Sequence, residues 1–347
     1  MIVLCRTDAT PAQRDRILAA VRGLGVEPHV REQDGRFVVE IASATDAARC
    51  ELERLAGVER VFAGEPGAHL VTWDDRTTAT KVKVGDVVFG GPSTVVIAGP
   101  CAVEGLDVLL EIARAVKLAG ATVLRGGAFK PRTSPYAFRG LGKEGLEFLA
   151  AAREETGLPV VTEVMDTRDV ALVERHADML QIGSRNMHNF ALLAEVGRTR
   201  KPVLLKRGMS ATVDELLTSA EYVLAGGNGE VVLCERGIRT FEHSSRNTLD
   251  ITAVPALRER THLPVCVDPS HASGRRGFVA PLARAAAAVG ADAVMIEVHV
   301  RPEEARCDAQ QAILPAELAA IVRDIDALDE VLRRTASARS AETEPAL

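Results

Sequence analysis

Eight chemically capable side chains stand just after short apolar runs at near-regular intervals: Cys101, Arg125, Glu163, Arg185, Lys206, Arg236, His271 and Glu297. They form two groups. The first is cationic: Arg125, Lys130, Arg185, Lys206 and Arg236. A lone arginine after a strand is usually a solvated surface residue, but cations that converge on one opening repel each other unless an anion lies among them. Phosphate and carboxylate are the natural partners, because guanidinium grips either with paired hydrogen bonds. The segment Leu124 to Gly140, LRGGAFKPRTSPYAFRG, concentrates this charge. It carries Arg125, Lys130, Arg132 and Arg139 and no acid; Arg139, far along the loop, reads as an ordinary surface residue. The second group is Cys101, His271, Glu297 and Asp308. Singly these would be a packed thiol, a polar histidine and two surface acids. Together, one sulfur, one imidazole and two carboxylates suit a divalent transition metal (Mn, Fe, Co or Zn). The sulfur disfavours magnesium.

The elements that must position these residues follow from the hydropathy pattern. Strand-like runs occur at 94–99, 121–126, 159–164, 178–183, 202–207, 230–236, 264–269 and 293–298. Segments able to form helices separate them, such as Leu106–Leu118 and Pro281–Val289. Short, nearly continuous apolar strands between helices belong to a parallel sheet buried on both faces. Repeated over residues 93–334, they predict an α/β fold, a (β/α)8 TIM barrel, with its site at the C-terminal strand ends. Closure makes the first and last strands neighbours, which brings Cys101, Glu297 and Asp308 to one side with His271. A doubly wound open sheet is the alternative, weakened because no GxGxxG follows the first strand. Residues 1–65 read as a small ferredoxin-like βαββαβ domain. Its elements are IVLCR, the helix 11–24, strands 26–32 and 37–42, the helix 46–55 and the strand 58–63. This segment has no cluster of catalytic residue types, so regulation or assembly is its expected role. Residues 66–92 read as a linker and 335–347 as a frayed tail.

Composition bounds the function. The net charge is −6 with 26% charged residues, which argues against a nucleic-acid partner without excluding a local anion site. No apolar run approaches the roughly 20 residues that span a bilayer, and the first residues lack a signal-peptide pattern. No membrane association and a cytoplasmic location are expected. Six cysteines without CxxC spacing are expected to be free thiols. Cys5, Cys50, Cys234 and Cys266 lie in apolar or amphipathic runs and read as buried packing.

Long blocks of the chain carry a resemblance: IAGPCAVEG, LRGGAFKPRTSPYAFRGLG, VVTEV, IGSRNMHNF, KPVLLKRGM, LCERGIRTFE, RNTLDITAVP, VDPSHASGRR and IEVH. Over about 240 residues in order, the chain resembles 3-deoxy-D-arabino-heptulosonate 7-phosphate (DAHP) synthases, in the subgroup with an N-terminal ferredoxin-like domain. The resemblance implies condensation of phosphoenolpyruvate with erythrose 4-phosphate and water, giving DAHP and phosphate, the first step of the shikimate route. It implies metal ligands at Cys101, His271, Glu297 and Asp308. It implies phosphoenolpyruvate contacts at Arg125, Lys130, Ser184 (through its backbone), Arg185, Lys206 and Arg236. Arg132 and Thr133 are implied at the aldose phosphate, and Glu163 near the reacting carbons. Lys130, Glu163, Cys101 and His271 are the expected catalytic set. A homotetramer and feedback inhibition by tyrosine or phenylalanine are implied too, with His29 a candidate effector contact.

The sister family that makes the eight-carbon acid from a five-carbon aldose phosphate typically carries Lys-Ala-Asn-Arg-Thr-Ser, whereas here Pro131 stands directly between Lys130 and Arg132. That shorter loop favours the four-carbon substrate. Metal-independent members of the sister family have Asn at the cysteine position, so Cys101 points to metal dependence. Two departures appear: Asp308 is followed by Ala309-Gln310-Gln311-Ala312 where the family commonly has Asp-Gly-x-Gln-Ser, and no proline follows His299 directly. A Schiff-base aldolase using Lys206 is the competing enzyme class, and an anion-binding or assembly protein the non-enzymatic one.

Overall fold

The computed structural model describes residues 2–33, 36–41, 46–62, 70–73, 78–131, 134 and 136–342. It divides into two compact units, Met1–His69 and Leu70–Leu347. In the first, strands β1 (Ile2–Cys5), β2 (His29–Gln33), β3 (Arg36–Glu40) and β4 (Val58–Phe62) form an antiparallel sheet in the order β2-β3-β1-β4, with helices Pro11–Gly23 and Asp46–Glu53. Thr10 caps the first helix in a reciprocal pair with Gln13, satisfying donors that a helix start leaves open. Val3, Cys5, Ile17, Val21, Val39, Leu52 and Val61 form the core. This is the ferredoxin-like arrangement. His29 is exposed on β2, an edge strand. Cys50, expected to be buried, is exposed. On the helix Asp46–Glu53 the inward residues are Ala48 and Leu52. Cys50, halfway between them, is turned away by the 3.6-residue period.

The second unit is a closed barrel of eight parallel strands. They are β7 (Val95–Gly99), β8 (Val123–Arg125), β9 (Val160–Glu163), β10 (Met179–Ile182), β11 (Val203–Lys206), β12 (Val231–Glu235), β13 (Val265–Val267) and β14 (Ala293–Glu297). All eight fall inside the runs expected from the sequence. The seam is the β14–β7 ladder, from Ala293 opposite Val95 to Glu297 opposite Gly99, so Glu297 arrives beside the segment that carries Cys101.

An antiparallel hairpin, β5 (Val82–Val84) and β6 (Val87–Phe89), precedes the barrel. Its Val82, Val84 and Phe89 pack with Ile97, Val123, Val161, Met179, Leu204, Val232 and Met295 from the barrel strands. The described part of the expected linker 66–92 is therefore not a free connector. Leu70 and Val71 donate their backbone N–H groups to the Glu221 carboxylate at 2.9 and 3.0 Å, and the hairpin is part of the barrel core.

Two helix expectations need correction. The helix expected from Pro281 runs Arg276–Ala288, with Pro281 inside it; burial of Val279, Ala283, Ala286 and Ala287 outweighs the one hydrogen bond that proline omits. The final helix runs Pro315–Glu342, so helix covers 335–342 where a frayed tail was expected. The segment TASARSAE holds three alanines, the best helix former, and extending an already nucleated helix costs little. Residues 343–347 lie outside the described residues. The helix docks through Leu318, Ile321 and Ile325, and Asp329 accepts both the N–H and the hydroxyl of Thr94 at 2.7 Å. Among the described residues no helix is long and apolar enough to cross a membrane.

Phe89 is fully buried in the barrel's interior cluster. Phe89→Ala should destabilise the barrel by about 3–5 kcal/mol, measured as a lowered urea midpoint for its unfolding transition; an unchanged midpoint would mean the hairpin adds nothing to the core.

Candidate active site

The strand ends open into a cavity of about 170 Å³. Arg125, Lys130, Glu163, Ser184, Arg185, Lys206, Arg236, His271 and Asp308 all line it. Sequence reasoning had named every one of these. Arg132 and Thr133, expected at the aldose phosphate, lie outside the described residues; their neighbours Pro131 and Ser134 are on the cavity wall. Gln181, Met209 and Arg246 also line it and were not anticipated.

Beside this cavity, Cys101, His271, Glu297 and Asp308 each offer a ligand atom, and the four atoms lie within 4.8 Å of one another. Cys101 Sγ is 3.2 Å from Asp308 Oδ2 and 3.3 Å from Cys307 Sγ. His271 Nε2 is 2.9 Å from Glu297 Oε1 and 3.9 Å from Asp308 Oδ2. Three features fit a bound cation. The donors are the mixed sulfur, nitrogen and oxygen set that transition metals favour. Glu297 Oε1 is buried and, among the described residues, has only cationic nitrogens beside it, with none donating a well-directed hydrogen bond, a setting that suits a carboxylate oxygen turned toward a cation. Asp308 has φ of 53° and is the sole non-glycine with positive φ among the described residues. Such strain persists where the surroundings fix it, commonly at functional sites.

A line of alternating charge joins the two parts. Arg125 Nη2 is 3.3 Å from Glu297 Oε1, which faces His271 Nε2. His271 Nδ1 is 2.7 Å from Asp268 Oδ2, and Lys206 Nζ reaches the same oxygen at 2.5 Å. Asp268 and Glu297 have no solvent exposure, and Arg125 and Lys206 have 4% each. Burial alone would drive His271 toward neutrality, but Asp268 and Glu297 outweigh it and raise its pKa to about 9. Burial works against ionisation of both carboxylates too, but the charges of His271 and Lys206 beside Asp268, and of His271 and Arg125 beside Glu297, hold them well below their usual range. Cys101 is pushed well above the usual thiol value by its contact with Cys307, by burial and by Glu297. For Lys130, burial acts downward, but the fields of Cys101 and Glu163 prevail and raise its pKa. It is a firmly protonated ammonium, a hydrogen-bond and proton donor.

Local structure explains these positions. A Cβ on Gly127 would lie 2.5 Å from Lys130 Cδ and 2.8 Å from the Cys101 carbonyl, so only glycine lets Lys130 fold into the cavity. A Cβ on Gly183 would lie 2.0 Å from Glu163 Oε1. Gln181 Nε2 donates to the other Glu163 oxygen at 3.4 Å. Asp268 caps the helix Pro269–Ser273 by accepting the His271 N–H at 2.9 Å, which sets the imidazole one turn from the end of β13. Arg207 pairs with Glu235 at 2.9 Å and Asp250 at 2.8 Å, and Glu235 accepts the Gly237 N–H at 2.6 Å. This buried network fixes the loop that carries Arg236 and Arg246. Arg246 in turn reaches Asp308 at 3.5 Å and Gln311 at 3.4 Å, and Gln311 donates to Glu297 Oε2 at 2.5 Å.

A closed parallel barrel whose strand ends join a cation-lined cavity to a Cys, His, Glu and Asp cluster has the form of a (β/α)8 enzyme with its site at that face. Comparison with known proteins narrows it. The family model described as the DAHP synthetase I family matches residues 75–333, and the chain belongs to that family of enzymes. A phospho-2-dehydro-3-deoxyheptonate aldolase from Thermotoga maritima is 44% identical over 314 residues, covering 90% of this chain and 93% of the relative. A crystal structure of DAHP synthase from that organism superposes with a TM-score of 0.76 at 42% identity, covering 95% of this chain and 97% of the other. A 2-dehydro-3-deoxyphosphooctonate aldolase from Magnetococcus marinus is 32% identical over 283 residues, covering 76% of this chain and 97% of the relative.

A cation entering the cluster must displace the proton that His271 holds up to about pH 9. Apparent affinity for Mn²⁺ or Co²⁺ should therefore rise with pH from 6 to 8, by about tenfold per unit from this group alone. Loss of the Cys101 proton steepens the rise. Competition against an indicator chelator at each pH measures it, and a flat profile would show that His271 is not a ligand.

Proposed function

We propose that the protein is a metal-dependent DAHP synthase. It condenses phosphoenolpyruvate with erythrose 4-phosphate and water, releasing DAHP and inorganic phosphate at the entry to the shikimate pathway. The observation that carries this reading is the juxtaposition of a cation-lined cavity with the Cys101, His271, Glu297 and Asp308 cluster. These four residues would hold a divalent transition metal: Mn, Fe, Co or Zn. Bound there, the ion supplies Lewis acidity toward the aldose's aldehyde oxygen.

The chain's own residues do the rest. Arg125, Arg185, Lys206 and Arg236 hold the phosphate and carboxylate of phosphoenolpyruvate, and the Ser184 backbone adds a donor. Fixing both ends orients C3 toward the aldehyde, and orientation is a large part of the rate gain. Among the described residues, buried Arg125 Nε and Nη1 have no hydrogen-bond partner, as expected of donors reserved for a ligand. As C3 of the enol phosphate attacks the aldehyde carbon, Lys130 donates to the oxygen on which charge develops. Positive character then falls on C2, where water adds. Glu163, on the cavity wall, accepts a hydrogen bond from that water. The hemiketal phosphate collapses with loss of inorganic phosphate. Arg132 and Thr133 hold the phosphate of the aldose.

Similarity supports the four-carbon aldose: the heptonate aldolase is 44% identical against 32% for the octonate aldolase. The Lys130-Pro131-Arg132 sequence agrees. A Schiff-base mechanism through Lys206 is disfavoured, because its ammonium is paired with Asp268 at 2.5 Å and a nucleophilic amine must be neutral. The N-terminal unit serves regulation in this reading, with tyrosine or phenylalanine as feedback inhibitor and a homotetramer as the assembly. The Thermotoga relative is aligned along 90% of this chain, so the alignment extends into that unit.

Phosphoenolpyruvate loss should be rapid with erythrose 4-phosphate and about a hundredfold slower with arabinose 5-phosphate. It should stop on chelation and return with Mn²⁺ or Co²⁺. Equal rates with both aldoses, or full activity after chelation, would contradict the proposal.

A further inference from the structure

Asp268 stands at the junction of the anion cavity and the donor cluster. Its Oδ2 accepts from Lys206 Nζ at 2.5 Å and lies 2.7 Å from His271 Nδ1. Its Oδ1 accepts the His271 backbone N–H at 2.9 Å. The carboxylate has no solvent exposure, so water does not screen these contacts. One oxygen thus serves a cation that lines the cavity and an imidazole whose other nitrogen faces Glu297 and Asp308.

Two donors compete for that oxygen. An anion in the cavity draws the Lys206 ammonium toward itself and weakens its hold on Oδ2. The carboxylate then acts more fully on the His271 ring, and a histidine whose second nitrogen is bonded to a carboxylate is a better metal ligand. In the opposite direction, a cation at Nε2 makes Nδ1–H more acidic and tightens its bond to Oδ2, which frees Lys206 for the anion.

We propose that Asp268 is a positioning residue that couples the two halves of the site, so that phosphoenolpyruvate and the divalent cation each tighten the binding of the other through its Oδ2. The proposal rests on the assignment of the two sites made above. By linkage the factor is the same in both directions. Direct attraction between anion and cation would also produce coupling, but that part does not pass through Asp268 and survives its replacement.

The test uses the full-length protein, stripped of metal and titrated with Co²⁺ by visible absorption, with and without saturating phosphoenolpyruvate. In the wild type, phosphoenolpyruvate should lower the Co²⁺ dissociation constant tenfold or more, and Co²⁺ should tighten phosphoenolpyruvate by the same factor. Asp268→Asn and Lys206→Gln cut the relay at its centre and at one end. Each should reduce the coupling factor at least threefold below wild type. A wild-type factor under tenfold, or a smaller reduction in either variant, overturns the proposal. A purely structural Asp268 would weaken Co²⁺ binding equally with and without phosphoenolpyruvate and leave the factor unchanged. If Asp268→Asn does not fold, Lys206→Gln alone decides. Failure of the site assignment looks different: the wild type would bind no stoichiometric Co²⁺, or Cys101→Ala would bind it as tightly as the wild type.

Discussion

Five side chains in a row, Arg125, Glu297, His271, Asp268 and Lys206, alternate in charge across the mouth of the barrel at separations of 2.5 to 3.3 Å. Four of them are at most 4% exposed. Burying any one alone would cost several kcal/mol, and removing one member of such a set leaves its neighbour uncompensated, at about 3–5 kcal/mol. The row therefore holds together as a unit. Its ends, Arg125 and Lys206, belong to the anion cavity; its centre belongs to the donor cluster. Charge pairing that makes the buried mouth tolerable also brings a cationic cavity and the candidate metal-ligand cluster within one side chain of each other.

The barrel makes this row possible. Its members come from the ends of β8, β14, β11 and the turn after β13, and only closure of β14 on β7 brings them into one line. Supporting groups remove slack. The hairpin β5–β6 packs into the barrel's apolar core, and Arg207, Glu235 and Asp250 fix the loop behind Arg236. Arg246 and Gln311 brace Asp308 and Glu297. Lys130 stays protonated because Cys101 and Glu163 face it, which suits a donor to developing negative charge and not a base.

Much of this was legible in the sequence because the signals are local. Each barrel strand is a short apolar run ending in a reactive residue, so Cys101, Arg125, Glu163, Lys206 and Glu297 could be read from position alone. Arg185, Arg236 and His271 stand just beyond such runs, and Asp308 joined Cys101, His271 and Glu297 as a second carboxylate that closure could bring to the same side. What escaped is the layer that acts through other side chains. Asp268 sits in the same VDPSH block as His271, but its partner Lys206 is 62 residues away, and only the three-dimensional neighbourhood of β11 and β13 reveals the contact. Gln311 and Arg246 are ordinary polar residues in loops, with no periodicity to mark them. Cys307 belongs to no spacing motif, and its approach to Cys101 appears only once the last loop is folded back. Cys50 was misread because an amphipathic helix shows that an apolar face exists more clearly than it shows which small residue lies on it. The tail was misread because composition alone does not show that a helix already under way continues through it.

Everything above turns on Cys101 and His271 acting as ligands together with two carboxylates. X-ray absorption spectroscopy of the Co²⁺-loaded protein tests that most directly. A single sulfur scatterer at about 2.3 Å with nitrogen and oxygen neighbours at about 2.0–2.2 Å is the predicted shell, and the sulfur should vanish in Cys101→Ser. A shell of oxygen and nitrogen alone in the unaltered protein would contradict the account.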